Sequence, residues 1–417
     1  MMYRPLSYVK IAIVSYQNTT YKYSNYKVNK GEIYMSNIAI VSAKRTPIGR
    51  FKGRLRNYNA VELGTKALSA AIESANVKSE EIEQVIFGNV LQAGLGQNTA
   101  RQISIASGIP ETSPAMTINE VCGSGLKAII LGKQLIQLGE AKVVAVGGVE
   151  SMTNAPKLLL GEDEKPVESF MHDGLTDAFH NVPMGVTAEK IADKYQVSRE
   201  AQDTFANNSQ QKAAQATEAG KFKDEIVPLE DADGEMMTTD EGIRGNSSVE
   251  KLGTLKTIFK EDGTVTGGNA SSINDGASAL ILMDADYAKE NGYDILGLIG
   301  DYSEVGCDPE MMGYAPYHAV SHLLTKMNKQ MTDIDVVEMT EAFAAQSIPV
   351  KEHLGIPDEK FNLHGGAIAL GHPIGASGAR LVTTLVNILS QEDKQSGIAT
   401  ACIGGGLGIA LHVERGE

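Results

Sequence analysis

With 417 residues, 42% hydrophobic and 21% charged, the chain has the composition of a soluble globular protein of about two to three domains. Its formal charge of −15 excludes a general nucleic-acid binder, which needs a basic face to displace counterions from phosphates. No run reaches the roughly 18 apolar residues of a membrane span, and the three cysteines, Cys122, Cys307 and Cys402, are far apart with no C-x-x-C pair, which excludes a disulfide framework and speaks against a zinc site.

Residues 1–34 are crowded with Tyr, Asn and Lys, and their one apolar stretch, VKIAIVSY, is too short and polar-edged for a signal peptide. A second methionine, Met35, opens directly into a strand pattern. Residues 1–34 are therefore expected to be disordered, or absent from the natural product because the start codon is misplaced. From Asn37 to about Ser151 the strands NIAIVSA, QVIFGNVLQ, AMTIN and AKVVAVGGVE alternate with helical patterns such as AVELGTKALSAAIESA and GLKAIILGKQLIQLG. That alternation predicts a largely parallel sheet covered on both faces. From 152 to 271 the texture changes to loops around polar amphipathic helices in TAEKIADKYQVSREAQDTFANNSQQKAAQATEAGKF, which reads as an inserted, helix-rich lid. SALILMD, within 272–292, resumes the first sheet. From about 293 the pattern starts again, with strands DILGLIGDYSEV, DVVEMTE, GIATACIGGG and LGIALHVER and helices AVSHLLTKM, FAAQSIPVKEHLG and ASGARLVTTLVNILSQ. A duplicated α/β unit is the simplest organisation, 35–151 with 272–292 making one half and 293–417 the other.

Three glycine-rich junctions carry candidate chemistry. In NEVCGSG, Cys122 precedes a helix, where a thiol pKa falls from its usual value of about 8.5. In GGAIALGHPIGASGAR, His372 lies in a loop feeding a helix. The glycines there depart from G-x-G-x-x-G and no acidic residue follows at the right distance, so a dinucleotide site is rejected. In ACIGGGLG, Cys402 ends a strand, and the glycines behind it expose N–H groups of the kind an oxyanion hole requires. A nucleophile, an imidazole and a second acid/base form a set for acyl transfer.

NEVCGSGLKAI, GGVESMTNAP, DGLTDAF, MGVTAE, GNASSINDGA, EAFAAQ, GGAIALGHPIGASGAR and CIGGGLG resemble, in order from about Met35 to the C-terminus, the signatures of thiolases. DGLTDAF and MGVTAE look most like the short-chain, biosynthetic branch, the acetyl-CoA acetyltransferases. The resemblance implies βαβαβαββ halves stacked into a five-layer α-β-α-β-α sandwich, with no cofactor beyond coenzyme A esters as substrates. It implies ping-pong condensation of two acetyl-CoA to acetoacetyl-CoA and CoA, or the reverse thiolysis. Cys122 would carry the acetyl group, His372 would lower its pKa and hold the second thioester oxygen, and Cys402 would move the methyl proton. N–H groups of Cys122 and Gly404 would form an oxyanion hole. Arg244 would lie against the adenine and Ser271 near the pantetheine, with Leu175, Met184, Phe259, Ala270 and Phe343 lining the tunnel. The resemblance also implies a homodimer or homotetramer, while the missing signal-peptide, membrane-span and disulfide patterns favour the cytoplasm and the charge and hydropathy speak against nucleic-acid and membrane partners.

Two positions depart from the family pattern. Thr340 stands where thiolases have an Asn that positions a water for the enolate oxygen, and its shorter side chain lacks the amide's paired donor and acceptor. Pro183 precedes Met184 where short-chain members commonly have His. Two alternatives therefore stay open: a degradative thiolase of longer 3-ketoacyl-CoA chains, and a thiolase-like protein that binds CoA with impaired catalysis. A ketoacyl-synthase-type enzyme is disfavoured, since Cys402 occupies the place of its second histidine.

Overall fold

The computed structural model describes residues 37–161 and 165–416, together with the backbone of a hairpin pairing Tyr26–Asn29 with Glu32–Met35. The expectation for the remainder of 1–34 falls outside the described residues. The main sheet takes its strands from both halves: β1 (Ile38–Arg45), β2 (Gln84–Gly88), β3 (Ala115–Ile118), β4 (Val143–Ser151) and β5 (Asn274–Asp284), then β6 (Gly297–Gly306), β7 (Val336–Met339), β8 (Ser396–Ile403) and β9 (Leu407–Arg415). Their spatial order is β7-β8-β9-β6-β1-β5-β4-β2-β3.

The duplication is visible in this order. In the first half β5 is antiparallel to both β1 and β4, and β4 is parallel to β2. In the second half β9 is antiparallel to β6 and β8, and β8 is parallel to β7. β3 pairs in parallel with β2, whereas its counterpart in the second half is a single bridge between Val337 and Phe361. The sheet is therefore mixed, not largely parallel, because the last strand of each half inserts antiparallel beside the first. The halves meet where Ile38–Ile40 pair with Gly297–Ile299.

Strand periodicity assigns the layers, since successive side chains point to opposite faces. Ile38 and Ile40 pack inward with α3 (Ser124–Leu138) and α8 (Ile374–Gln391), while Ala39 and Val41 pack outward with α1 (Ala60–Ala75) and α2 (Thr99–Ala106). Val337, Met339 and Ile398 of the second half face α6 (Ala315–Met327). The order α1/α2, sheet, α3/α8, sheet, α6 is the five-layer sandwich.

Local signals explain the outer helices. Asn59 and Glu62 form a reciprocal capping box at the start of α1, and Asn76 stops it in the left-handed region. Helix α2 was not anticipated from the sequence; Asn98 caps it from a left-handed conformation. Helix α8 is buried along nearly its whole length, and its buried polar side chains are paired inside, Arg380 with Glu338 and Thr383 with Ser278.

The two central helices touch backbone to backbone. A methyl group on Gly125 would lie 2.3 Å from the Ala379 amide nitrogen, and one on Gly378 would lie 2.4 Å from that of Leu126. This crossing brings the first turns of α3 and α8, one from each half, side by side. The segment 152–273 contributes α4 (Met184–Tyr195) and α5 (Arg199–Glu218), which lie against α7 (Ala344–His353). Arg45, at the end of β1, fastens this segment through buried ion pairs to Glu225 at 2.6 Å and Asp240 at 2.7 Å. Among the described residues no helix is long and apolar enough to cross a membrane.

Candidate active site

Cys122 lies in the tight turn between β3 and α3. Val121 adopts a φ of 45°, and Ser124 Oγ steadies the turn by accepting from the Glu120 N–H at 2.9 Å and donating to the Val121 carbonyl at 2.7 Å. Gly123 leaves room for Ile403, whose Cδ1 would lie 2.4 Å from an added methyl. His372 follows Gly371, which has a φ of 111°, and its backbone N–H donates to Asn274 Oδ1 at 2.9 Å.

The two side chains meet across the halves, His372 Nε2 lying 3.2 Å from Cys122 Sγ. On the far side of the ring, Nδ1 is 2.6 Å from Ser377 Oγ, which donates its own proton to the Pro373 carbonyl at 3.0 Å. Ser377 must then accept from Nδ1–H, leaving the Nε2 lone pair directed at the sulfur. His372 is thus set as the acceptor of the Cys122 proton.

Cys402, 1% exposed, closes the other side among Met184, Met312 and Ala342. Beyond it the chain turns through Gly404, where a methyl would lie 2.3 Å from Met184 Cε. Backbone N–H groups of Cys122 and Gly404 both reach the Cys122 sulfur. These two donors therefore converge on the sulfur, one from each half of the chain.

Electrostatically, burial opposes charge on both side chains. Burial pushes the Cys122 thiol up to about 12, outweighing the two N–H donors that pull it down. Burial likewise lowers His372 to about 3, helped by the nearby Arg380 charge, and raises Cys402. The expected depression of the Cys122 pKa is not what the structure has, because desolvation exceeds the stabilisation a helix start supplies. Burial thus favours the neutral thiol and imidazole over the ion pair. Because this thiol titrates far above the usual range, its thiolate fraction grows tenfold per pH unit. Iodoacetamide alkylation of Cys122 in the free protein should then climb without a plateau from about pH 6 to about pH 9. A plateau starting below about pH 7 would indicate a preformed ion pair.

These groups open onto a cavity of about 480 Å³. Of the residues anticipated from the sequence, Cys122, His372, Cys402, Leu175 and Met184 line it, as do Phe259, Ala270, Ser271 and Phe343. Ser271 N–H donates to the Ala342 carbonyl at 2.9 Å, and Phe259 meets Phe343 edge-on at 6.2 Å. Pro183 is part of the wall. Gly404 reaches the sulfur only through its backbone. Thr340 lies outside the lining, fully buried, with its Oγ1 unpartnered. Arg244 is exposed and outside the lining.

The chain belongs to the thiolase family. The family's N-terminal domain matches residues 38–286 and its C-terminal domain residues 293–415. A probable acetyl-CoA acyltransferase of Staphylococcus aureus (strain COL) is 48% identical over 392 residues, 91% of this chain and all of that protein. An acetyl-CoA acetyltransferase of Chromobacterium violaceum is 47% identical over 389 residues, 91% of this chain and 99% of the relative. Among solved structures, Bacillus anthracis acetyl-CoA acetyltransferase superimposes with a TM-score of 0.89 at 39% identity, covering 91% of this chain and 99% of the other. Human mitochondrial 3-ketoacyl-CoA thiolase in complex with CoA gives 0.88 at 40% identity, covering 91% and 98%.

Some residues that shape this thiolase site escape a reading of the sequence. Glu150, at the end of β4, accepts from Asn89 Nδ2 at 2.8 Å and from the N–H groups of Val90, Leu91 and Gly375 at 3.0–3.1 Å. It therefore ties the loop after β2 to the first turn of α8. Ser377 looks like a helix-filling small residue until the fold turns it toward His372. Their signal was position alone: a carboxyl at a strand end, and a hydroxyl five residues after the histidine.

Proposed function

We propose that the protein is an acyl-CoA C-acetyltransferase working by ping-pong transfer through Cys122. The reading rests above all on the 3.2 Å contact between Cys122 Sγ and His372 Nε2, beside Cys402 in one cavity. As the sulfur attacks the thioester of acetyl-CoA, its proton moves to His372 Nε2. The oxyanion accepts from the Cys122 and Gly404 N–H groups, and CoA departs with the proton as a thiol. A second acetyl-CoA then enters, and Cys402, its own proton passed to His372, removes one from the methyl group. The resulting carbon nucleophile attacks the acetyl-enzyme to give acetoacetyl-CoA. Cys122 leaves as a thiolate and recovers a proton from His372, so the balance closes. Thiolysis is the same path reversed.

Ser271, Phe259, Ala270, Leu175, Met184 and Phe343 would hold the pantetheine and acyl groups. Arg244 serves the nucleotide end of CoA, which needs an exposed cation. The segment 152–271 acts as the lid between the two catalytic halves. No cofactor beyond CoA esters enters this scheme. A homodimer, itself able to pair into a tetramer, is supported by the place of β3 at the end of the sheet among the described residues, with Met116 45% exposed, since a sheet edge is a template for a second copy. A nucleophilic thiol must stay reduced, which favours the cytoplasm. The test is cleavage of acetoacetyl-CoA by the purified protein, dependent on CoA and with the parallel initial-rate lines of a ping-pong reaction. Folded protein that cleaves nothing would overturn the proposal.

Thr340 follows β7 directly, two residues beyond Glu338, and its buried hydroxyl has no partner. A water held by that hydroxyl would stand in for the one the family's Asn positions, but the shorter side chain reaches less far and orients it more weakly. Thr340→Asn is expected to raise kcat for condensation by about tenfold or more, with the 10²–10³ that one oxyanion donor is worth as the ceiling. An unchanged kcat would remove Thr340 from the reaction.

A further inference from the structure

The backbone around His372 is held at two points, and both holds come from the first half of the chain. Asn274, the first residue of β5, accepts the His372 N–H and the Ser272 hydroxyl proton, each at 2.9 Å, while its Nδ2 donates to the Gly49 carbonyl at 2.9 Å. A little further on, the Gly375 N–H donates to Glu150 Oε2 at 3.0 Å. Both Asn274 and Glu150 are fully buried, and neither lines the cavity. Helix α8 is seated hard on β4 here: a methyl on Gly375 would lie 2.6 Å from the Val149 carbonyl oxygen and 2.7 Å from Glu150 Oε2.

The partners of Glu150 decide in which form its hold works. Oε2 accepts from Gly375 and, at 3.1 Å, from the Val90 N–H; Oε1 accepts from Asn89 Nδ2 at 2.8 Å and from the Leu91 N–H at 3.1 Å. Every partner is a donor. A carboxylate has lone pairs for all of them, whereas a protonated carboxyl carries an O–H that would point at an N–H. Protonation must therefore break at least one of these bonds. Burial favours that protonation, raising the carboxyl to about 7 against the pull of the N–H donors. The titratable groups around it are Cys122, whose thiolate its charge disfavours, His372, and Asp275 on β5, which burial raises to about 6. Arg380, further along α8, is committed to Glu338 at 3.2 Å.

We propose that Glu150 and Asn274 are positioning residues for His372, and that Glu150 holds the imidazole at Cys122 only while it is a carboxylate. The proposal rests on the acyltransferase reading given above and adds no step to that reaction. As pH falls through about 7, the carboxyl takes up a proton, a bond to the first turn of α8 or to the loop after β2 opens, and Nε2 withdraws from the sulfur. A displacement of about 1 Å between reacting groups costs about 10²-fold in rate.

The experiment measures kcat and KM for CoA-dependent cleavage of acetoacetyl-CoA by the full chain from about pH 5 to about pH 9. Wild-type kcat should fall about tenfold per unit below about pH 7, as loss of one ionised carboxyl requires, toward a floor about 10²-fold lower. Glu150→Gln puts an NH₂ among N–H donors. Its kcat at about pH 8 should lie about 10²-fold below wild type with KM unchanged, and the decline centred near pH 7 should be gone. Asn274→Ala, which removes the other hold but no titrating group, should lower kcat about tenfold or more and keep that decline. A wild-type kcat that stays level between about pH 6 and about pH 8 overturns the proposal while leaving the acyltransferase intact, even where Glu150→Gln does not fold. A folded Glu150→Gln that keeps the wild-type profile, or a decline near pH 6 that it retains and Asp275 explains, overturns it as well. Cleavage by none of the three proteins overturns both readings.

Discussion

Cys122→Ala is expected to abolish CoA-dependent thiolysis, lowering kcat by about 10⁴–10⁶-fold, the scale seen when an enzyme loses its nucleophile. The loss should be chemical and not structural. The side chain is small, and its hydrogen-bond partner is an imidazole whose other nitrogen stays engaged by Ser377. Removing one sulfur from a site bordering a cavity of about 480 Å³ leaves no void sealed from solvent, so destabilisation should stay near the ~1 kcal/mol typical of point substitutions. The checks are steady-state rates, mass spectrometry after incubation with acetyl-CoA, and a melting curve. An acetyl adduct persisting on the variant would assign the acyl group to another residue.

Cys402→Ala is expected to split the reaction in two. The first half-reaction uses only Cys122, His372 and the two N–H donors, so acetyl-enzyme should still form and labelled CoA should still exchange with acetyl-CoA. Condensation should fall by about 10²–10⁴-fold, the usual contribution of a positioned acid or base. Exchange and condensation measured on one preparation decide the matter. Equal loss of both would make Cys402 a packing residue of the Met184, Met312 and Ala342 cluster, and equal retention would remove it from proton transfer.

Much of the frame was legible in the chain because strand and helix periods are local. The run from Ala60 to Ala75 reads as a helix and is one, since Asn59 and Asn76 mark both ends. Helix α2 escaped notice because eight residues give too few turns for a period to emerge, and its cap, Asn98, sits in an unusual left-handed conformation. The mixed direction of the sheet was hidden because a period of two records which face a side chain takes and not which way a strand runs.

The site was legible as residue types at glycine-rich junctions, but not as a geometry. Cys122 and His372 are 250 positions apart, and only the crossing of α3 and α8 brings them together. Burial is also absent from the sequence, which is why a cysteine before a helix suggested a depressed pKa while the folded thiol is pushed up to about 12.

The Gly125–Gly378 crossing also bears on how such a protein could have arisen and how it fails. Neither half holds a complete reactive centre, since the nucleophile comes from one and both proton carriers from the other. A unit built like either half would have to pair with a second one before it could transfer an acyl group, and a single chain makes that partnership permanent. The seam between the repeats is then the most sensitive place in the molecule: a slip of one ångström there would silence the chemistry while each half kept its own layers intact.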